Sequence, residues 1–86
     1  MNKLIEDNYT SILNRGLINK HTTKSQFIDK LYEEVGEFEE YYVNNKGELD
    51  PEELADIILV CLNISKHYNI DIEKELNRKI QINKNR

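Results

Sequence analysis

The sequence is poor in residues that staple a chain or break it. It has one cysteine, Cys61, so no disulfide can form within it, and that usage fits a reducing compartment. It has one proline and three glycines, too few for the many tight turns of a β-sandwich or barrel. Tryptophan is absent. The longest apolar run, Ile57 to Leu62, falls far short of the ~20 residues that a membrane helix needs. No charged-then-apolar leader is legible at the start, so the expected location is the cytoplasm. Basic residues are outnumbered, 12 against 16 acidic ones, and the formal net charge is −4. No global positive field therefore draws in nucleic acid or an anionic membrane.

What the chain has is charge and helical periodicity. At 86 residues, with 38% apolar and 33% charged, it reads as one domain over residues 1–86, at the small end of what folds alone. Leu4, Ile5, Tyr9, Ile12 and Leu13 form a helical stripe that Gly16 closes, predicting a helix from Asn2 to Arg15. Leu17 is placed to fold back onto Ile12. Thr23 with Gln26 makes a capping box. Phe27, Leu31, Val35, Phe38 and Tyr42 then recur at intervals of four and three, predicting a helix over Lys24 to Val43. Gly36 interrupts that helix, either because another backbone or a ligand comes close or because it is simply tolerated. Asn44-Asn45-Lys46-Gly47 is a turn cluster.

Asp50 caps the next helix with Pro51 at its first position, and Glu53 is placed to complete a capping box. The apolar residues from Leu54 to Ile64, Cys61 among them, go almost all the way round this helix. It is expected to be the buried centre of the fold, ending near Tyr68 at Asn69. Asp71 starts a last helix with Ile72, Leu76, Ile80 and Ile82 facing inward. Its Lys74, Arg78, Lys79, Lys84 and Arg86 make that end basic. The expected fold is all-α, an antiparallel four-helix arrangement whose thin core is completed by dimerisation.

Two acidic patterns stand out. Glu34-Val35-Gly36-Glu37 and Glu53-Leu54-Ala55-Asp56 each place carboxylates at i and i+3, neighbours on one helix face, with apolar residues around them. The intervening turn is short enough to make the two helices antiparallel neighbours. The patterns then lie about 11 Å and about 5 Å from the turn, so long side chains can converge. Carboxylates gathered in an apolar setting repel one another and are costly to desolvate. A hard divalent cation, Mg²⁺ or Mn²⁺, offsets that cost. Plainer roles stand beside this one. Glu53 can serve the capping box, Glu34 can pair with Lys30, and acidic i, i+3 pairs are common on solvated faces. Asp56 is the hardest to explain otherwise, lying between Ala55, Ile57 and Val60.

Read together, these residues resemble the MazG-like nucleoside triphosphate pyrophosphohydrolases of the all-α NTP pyrophosphatase superfamily. The matching segments are Lys30 to Glu37 (KLYEEVGE), then, after a gap of fifteen residues from Glu37, Glu53 to Ile57 (ELADI), then Asn69-Ile70-Asp71 and Asn77-Arg78-Lys79. Together they span roughly residues 23 to 80. The resemblance implies hydrolysis of an NTP or dNTP between the α and β phosphates, giving a monophosphate and pyrophosphate. It assigns Glu34, Glu37, Glu53 and Asp56 to Mg²⁺, with Mn²⁺ a possible substitute. It also implies a homodimer or homotetramer.

Glu33, next to the ligands, is the candidate for positioning the attacking water, and its angle on the helix equally fits a plain exposed residue. Lys79 and Arg78 are candidates for the phosphates, Asn77 and Gln26 for base or sugar, and Lys30 shares the acidic edge. Cations near a helix C-terminus and a capping glutamine are the bland readings of the same residues. The absence of tryptophan, which some members use near the base, leaves base preference open. Two other readings carry weight: a non-catalytic helical oligomerisation or interaction module, and a phosphoribosyl-ATP pyrophosphohydrolase. A di-iron carboxylate bundle needs Glu-x-x-His pairs, and neither histidine stands three residues after a glutamate.

Overall fold

Side-chain caps at Thr23, Asp50 and Asp71 set where three of the helices begin. Thr23 Oγ1 accepts from the Gln26 amide at 3.1 Å, and Gln26 Oε1 accepts from the Thr23 amide at 2.8 Å. This reciprocal box is the one read from the sequence. Asp50 caps too, but its Oδ1 accepts from the Glu52 amide at 3.0 Å, and no hydrogen bond joins the Glu53 side chain to Asp50. The capping box expected of Glu53 is therefore not made, and its carboxylate is free for other work. Asp71 Oδ1 accepts from the Lys74 amide at 3.1 Å.

Chain reversals end the helices. Gly16, at φ +72°, donates to Leu13 O while Leu17 donates to Ile12 O, the paired 5→2 and 6→1 bonds of a Schellman stop. Asn69, at φ +56°, does the same with Lys66 O, and Ile70 donates to Ser65 O at 2.8 Å.

The computed structural model describes residues 1–86 as four α-helices with no strand. They are α1 (Asn2–Asn14), α2 (Lys24–Asn44), α3 (Pro51–His67) and α4 (Ile72–Lys84). No helix is long and apolar enough to cross a membrane. α3 is the hub, packing against both α2 and α1. α2 and α3 run antiparallel, since Phe27 early in α2 meets His67 late in α3, whereas Glu34 in mid α2 meets Glu53 and Asp56 at the start of α3. α4 has no extended packing against the other three. In place of the expected four-helix packing, α1 and α2 pack around α3 and α4 stands off. Leu76, Ile80 and Ile82, expected to face inward, are exposed.

The core is correspondingly thin. Six residues of 86 are buried, and only Phe27, Val60 and Leu62 among them are apolar. α3 is not buried all round, because Leu54, Ile58 and Cys61 lie on an open face. The expectation of a core cysteine is overturned. So is that of inward Val35 and Tyr42, both of which are exposed. Gly36 is tolerated within this chain, since an added Cβ would meet nothing within 4 Å.

The accessible surface is 6764 Å² for a 10.2 kDa chain. A compact monomer of that mass shows about 5,300 Å², so the excess is about 1,400 Å². The radius of gyration, 14.8 Å, likewise exceeds the about 12 Å of a compact chain this long.

Candidate metal centre

The carboxylates of the two acidic patterns meet where α2 passes the first turns of α3. They form two overlapping groups that share Glu34. Glu33, Glu34 and Glu37 make one; Glu34, Glu53 and Asp56 make the other. Within each group one oxygen per residue lies within 4.8 Å of the others. α2 supplies its members from i, i+1 and i+4 relative to Glu33, and α3 supplies Glu53 and Asp56 from i and i+3, so each helix presents its acids along one edge. The antiparallel hairpin brings the edges together.

Burial makes the cluster unusual. Glu34 is 7% exposed, and its Oε2 is buried without a hydrogen-bond partner. Glu53 Oε2 is in the same condition. Those two oxygens are the only buried side-chain polar atoms in the protein left unpartnered. Buried polar atoms are ordinarily paired, and leaving a carboxylate oxygen unpaired is costly.

The one cation nearby is Lys30. Its Nζ lies 3.0 Å from Glu34 Oε1 and 3.3 Å from Glu33 Oε1. The hydrogen bond from Lys30 to Glu34 holds the lysine above its ordinary value of 10.5, ahead of the smaller opposing effect of burial. On Glu37 the Glu34 carboxylate acts first, then burial, and Glu53 and Glu33 add to them, so the group sits above its ordinary 4.5. Burial comes first for Glu53, followed by the charges of Asp56, Asp50, Glu34 and Glu52, again raising the group above 4.5. The Glu34 charge leads on Glu37 and burial leads on Glu53, with neighbouring carboxylates adding to both.

The donor set suits a hard divalent ion. It is all carboxylate oxygen, comes from two rigid helices, and keeps two buried oxygens unengaged. Glu33 enters as a member of the α2 group, a role beyond the water-positioning one read from the sequence.

A cavity of about 630 Å³ adjoins the cluster. Lys30 and Glu33 border it, with Gln26, Asn63, His21 and Val60 among its other walls. Asn63 is 8% exposed and its Oδ1 is held by the Asn8 amide. Sequence reasoning did not single it out as a site residue, although it lies seven residues after Asp56 and three after Val60, on one face of α3. Gln26 lines the cavity while its Oε1 stays in the capping box, so both readings of that residue are realised together.

The remaining predicted residues lie elsewhere. Asn77, Arg78 and Lys79 are exposed on α4, which starts beyond the end of α3 opposite the acids. Arg78 pairs with Glu75 at 3.0 Å. The structure does not bring these three to the cluster within one chain. His67 is far from it as well, with Nδ1 2.9 Å from Tyr9 Oη and its ring between Phe27 and Tyr68. No protein-family model, curated protein or solved structure matches this chain.

Proposed function

We propose that the protein is a Mg²⁺-dependent nucleoside triphosphate pyrophosphohydrolase that cleaves an NTP or dNTP between the α and β phosphates. The observation that carries this reading is the pair of buried, unpartnered oxygens, Glu34 Oε2 and Glu53 Oε2, in a cluster of like charge. Glu34, Glu37, Glu53 and Asp56 are the residues that would hold the ion. Bound there, Mg²⁺ neutralises phosphate charge and lowers the pKa of a coordinated water. Glu33 lies on the rim between cluster and cavity, where it can accept a proton from a water directed at phosphorus. The cavity volume is in the range of small-ligand sites, and its amide and apolar walls suit a nucleoside.

A second copy of this chain completes the assembly in this reading, as a homodimer or as half of a homotetramer. The surface excess of about 1,400 Å² on this one chain exceeds the about 800 Å² that each partner buries in a standard interface. The open seams Ile28–Tyr32–Val35 on α2, Leu54–Ile58–Cys61 on α3 and Leu76–Ile80 on α4 are the apolar surfaces to be covered. Asn77, Arg78 and Lys79 then act as phosphate and sugar contacts only as part of such an assembly.

Those same seams favour a second reading, a helical interaction module without catalysis. One assay separates the two. The purified protein is incubated with each NTP and dNTP in Mg²⁺, and monophosphate and pyrophosphate are measured. Their appearance in equal amounts, lost in Asp56→Asn and on chelation, is the expected result. Absence of turnover on every nucleotide, from a protein that light scattering finds dimeric, leaves the interaction module standing.

A further inference from the structure

Lys30 belongs to two features at once. Its ammonium occupies Glu34 Oε1 and reaches Glu33, while the same side chain forms part of the wall of the neighbouring cavity. Glu34 is the residue common to both carboxylate groups, so Lys30 holds one oxygen of the joint on which the whole cluster turns.

We propose that Lys30 is an internal counter-ion that a divalent cation displaces, and that its release couples loading of the carboxylate centre to capture of a phosphate-bearing anion in the cavity. The inference rests on the metal-centre reading above.

The pairing is built to be given up. Lys30 and Glu34 stand at i and i+4 on a single helix, and the Lys30 side chain is about half exposed. Exchangeable pairs of this kind are weak. A lysine ammonium is a single charge with three donors on a flexible stem, so it neutralises a carboxylate without fixing a geometry. It leaves Glu34 Oε2 and Glu53 Oε2 unpartnered. A divalent ion binding those oxygens draws on the same Glu34 carboxylate and repels the adjacent ammonium. The displaced ammonium needs acceptors, and the side chain already borders the cavity. There it stands as a positive charge at the mouth of the ligand site. In the unloaded protein that charge is spent on Glu34. Metal and anion then each favour the other's binding, by the reciprocity that any such coupling obeys.

The test uses the full chain and calorimetry, first with Mn²⁺ alone and then, at saturating Mn²⁺, with a non-hydrolysable nucleoside triphosphate analogue and with inorganic triphosphate. Lys30→Met is expected to bind Mn²⁺ about tenfold more tightly than the parent and the analogue about tenfold more weakly, within the usual range of coupling between sites. Lys30→Arg, which keeps the charge, binds Mn²⁺ no more tightly than the parent. Lys24→Met removes a cation that lies over the Tyr68 ring at the other end of the hairpin, and is expected to leave Mn²⁺ affinity unchanged. Equal tightening in Lys24→Met reduces the effect to net charge and overturns the proposal. Measurable but unaltered Mn²⁺ affinity in Lys30→Met overturns the displacement and leaves the metal centre standing. Unaltered affinity for both anions overturns the coupling, and weakening for the analogue and inorganic triphosphate alike assigns it to phosphate rather than to the nucleoside. Absence of Mn²⁺ binding in parent and variant removes both the centre and the switch.

Discussion

At the far end of the α2–α3 pair, the Phe27 ring lies 4.9 Å from that of His67, and His67 Nδ1 is hydrogen-bonded to Tyr9 Oη. Tyr68 donates its hydroxyl to Thr22 O and carries Lys24 over its ring. At the turn end, the same two helices bring together five carboxylates, and two of their oxygens are buried with no partner. Both ends are made by one device, an antiparallel pair whose side chains meet across it. One end leaves no buried side-chain polar atom unpartnered and holds the fold. The other gathers groups that repel, and it persists only because the far end and α1 hold α3 in place. Stability and site are thus separated along a single helix pair, the division expected where function requires locally unfavourable contacts.

That comparison can be broken at its strong end first. Phe27→Ala removes the largest buried apolar side chain of a three-residue apolar core. The expected cost is about 3–5 kcal/mol, a large part of the stability of a domain this small. A thermal melt by circular dichroism should lose its cooperative transition or shift down steeply.

At the acidic end the sign is reversed. Mg²⁺ or Mn²⁺ at about 100 times its dissociation constant should stabilise the parent by about 2.7 kcal/mol. In Asp56→Asn that gain should be absent while the metal-free protein melts no lower. A parent whose melting temperature ignores divalent ions would remove the asymmetry between the two ends.

Tyr9→Phe tests the polar part of the strong end. It deletes the partner of His67 Nδ1 and should cost about 1 kcal/mol, with Mn²⁺ affinity unaltered. Loss of metal binding in this variant would show that the two ends are not independent.

The smallest effect is a pH slope. Glu37 and Glu53 are held above their ordinary 4.5 in the folded chain, so the folded state binds more protons than the unfolded one just above that pH. Metal-free stability should therefore fall as pH rises from about 4.5 through their folded values. Both groups reach solvent, so the slope is shallow. Glu53→Gln should flatten it, and saturating Mg²⁺, held by the ionised carboxylates, should reverse it. A rising slope in that window, with no metal present, would contradict the crowding of charge.

Much of this was legible from local rules. The Thr23–Gln26 box, the Gly16 and Asn69 stops and the Asp50–Pro51 start each depend on residues within a few positions of one another, and all are found. The two acidic patterns were legible because i, i+3 spacing defines a helix edge. The failures share one cause. Cys61, Val35, Tyr42 and the α4 seam were expected to be inside because they are apolar and periodic, but periodicity says that a face wants cover and not what covers it. Glu53 was drawn toward a capping box by its position, yet its carboxylate lies beside those of Glu34 and Asp56 across the helix pair, with Oε2 unpartnered.

By itself the sequence determined where four helices start and stop and which edges carry the acids, since those follow from backbone capping and a 3.6-residue period. The tertiary structure alone decided that Glu34 is the joint of two carboxylate groups. It also decided that Asn63 walls a cavity and that α4 stands apart from α3. Each of those depends on which helix faces meet, a matter of packing between residues far apart in the chain.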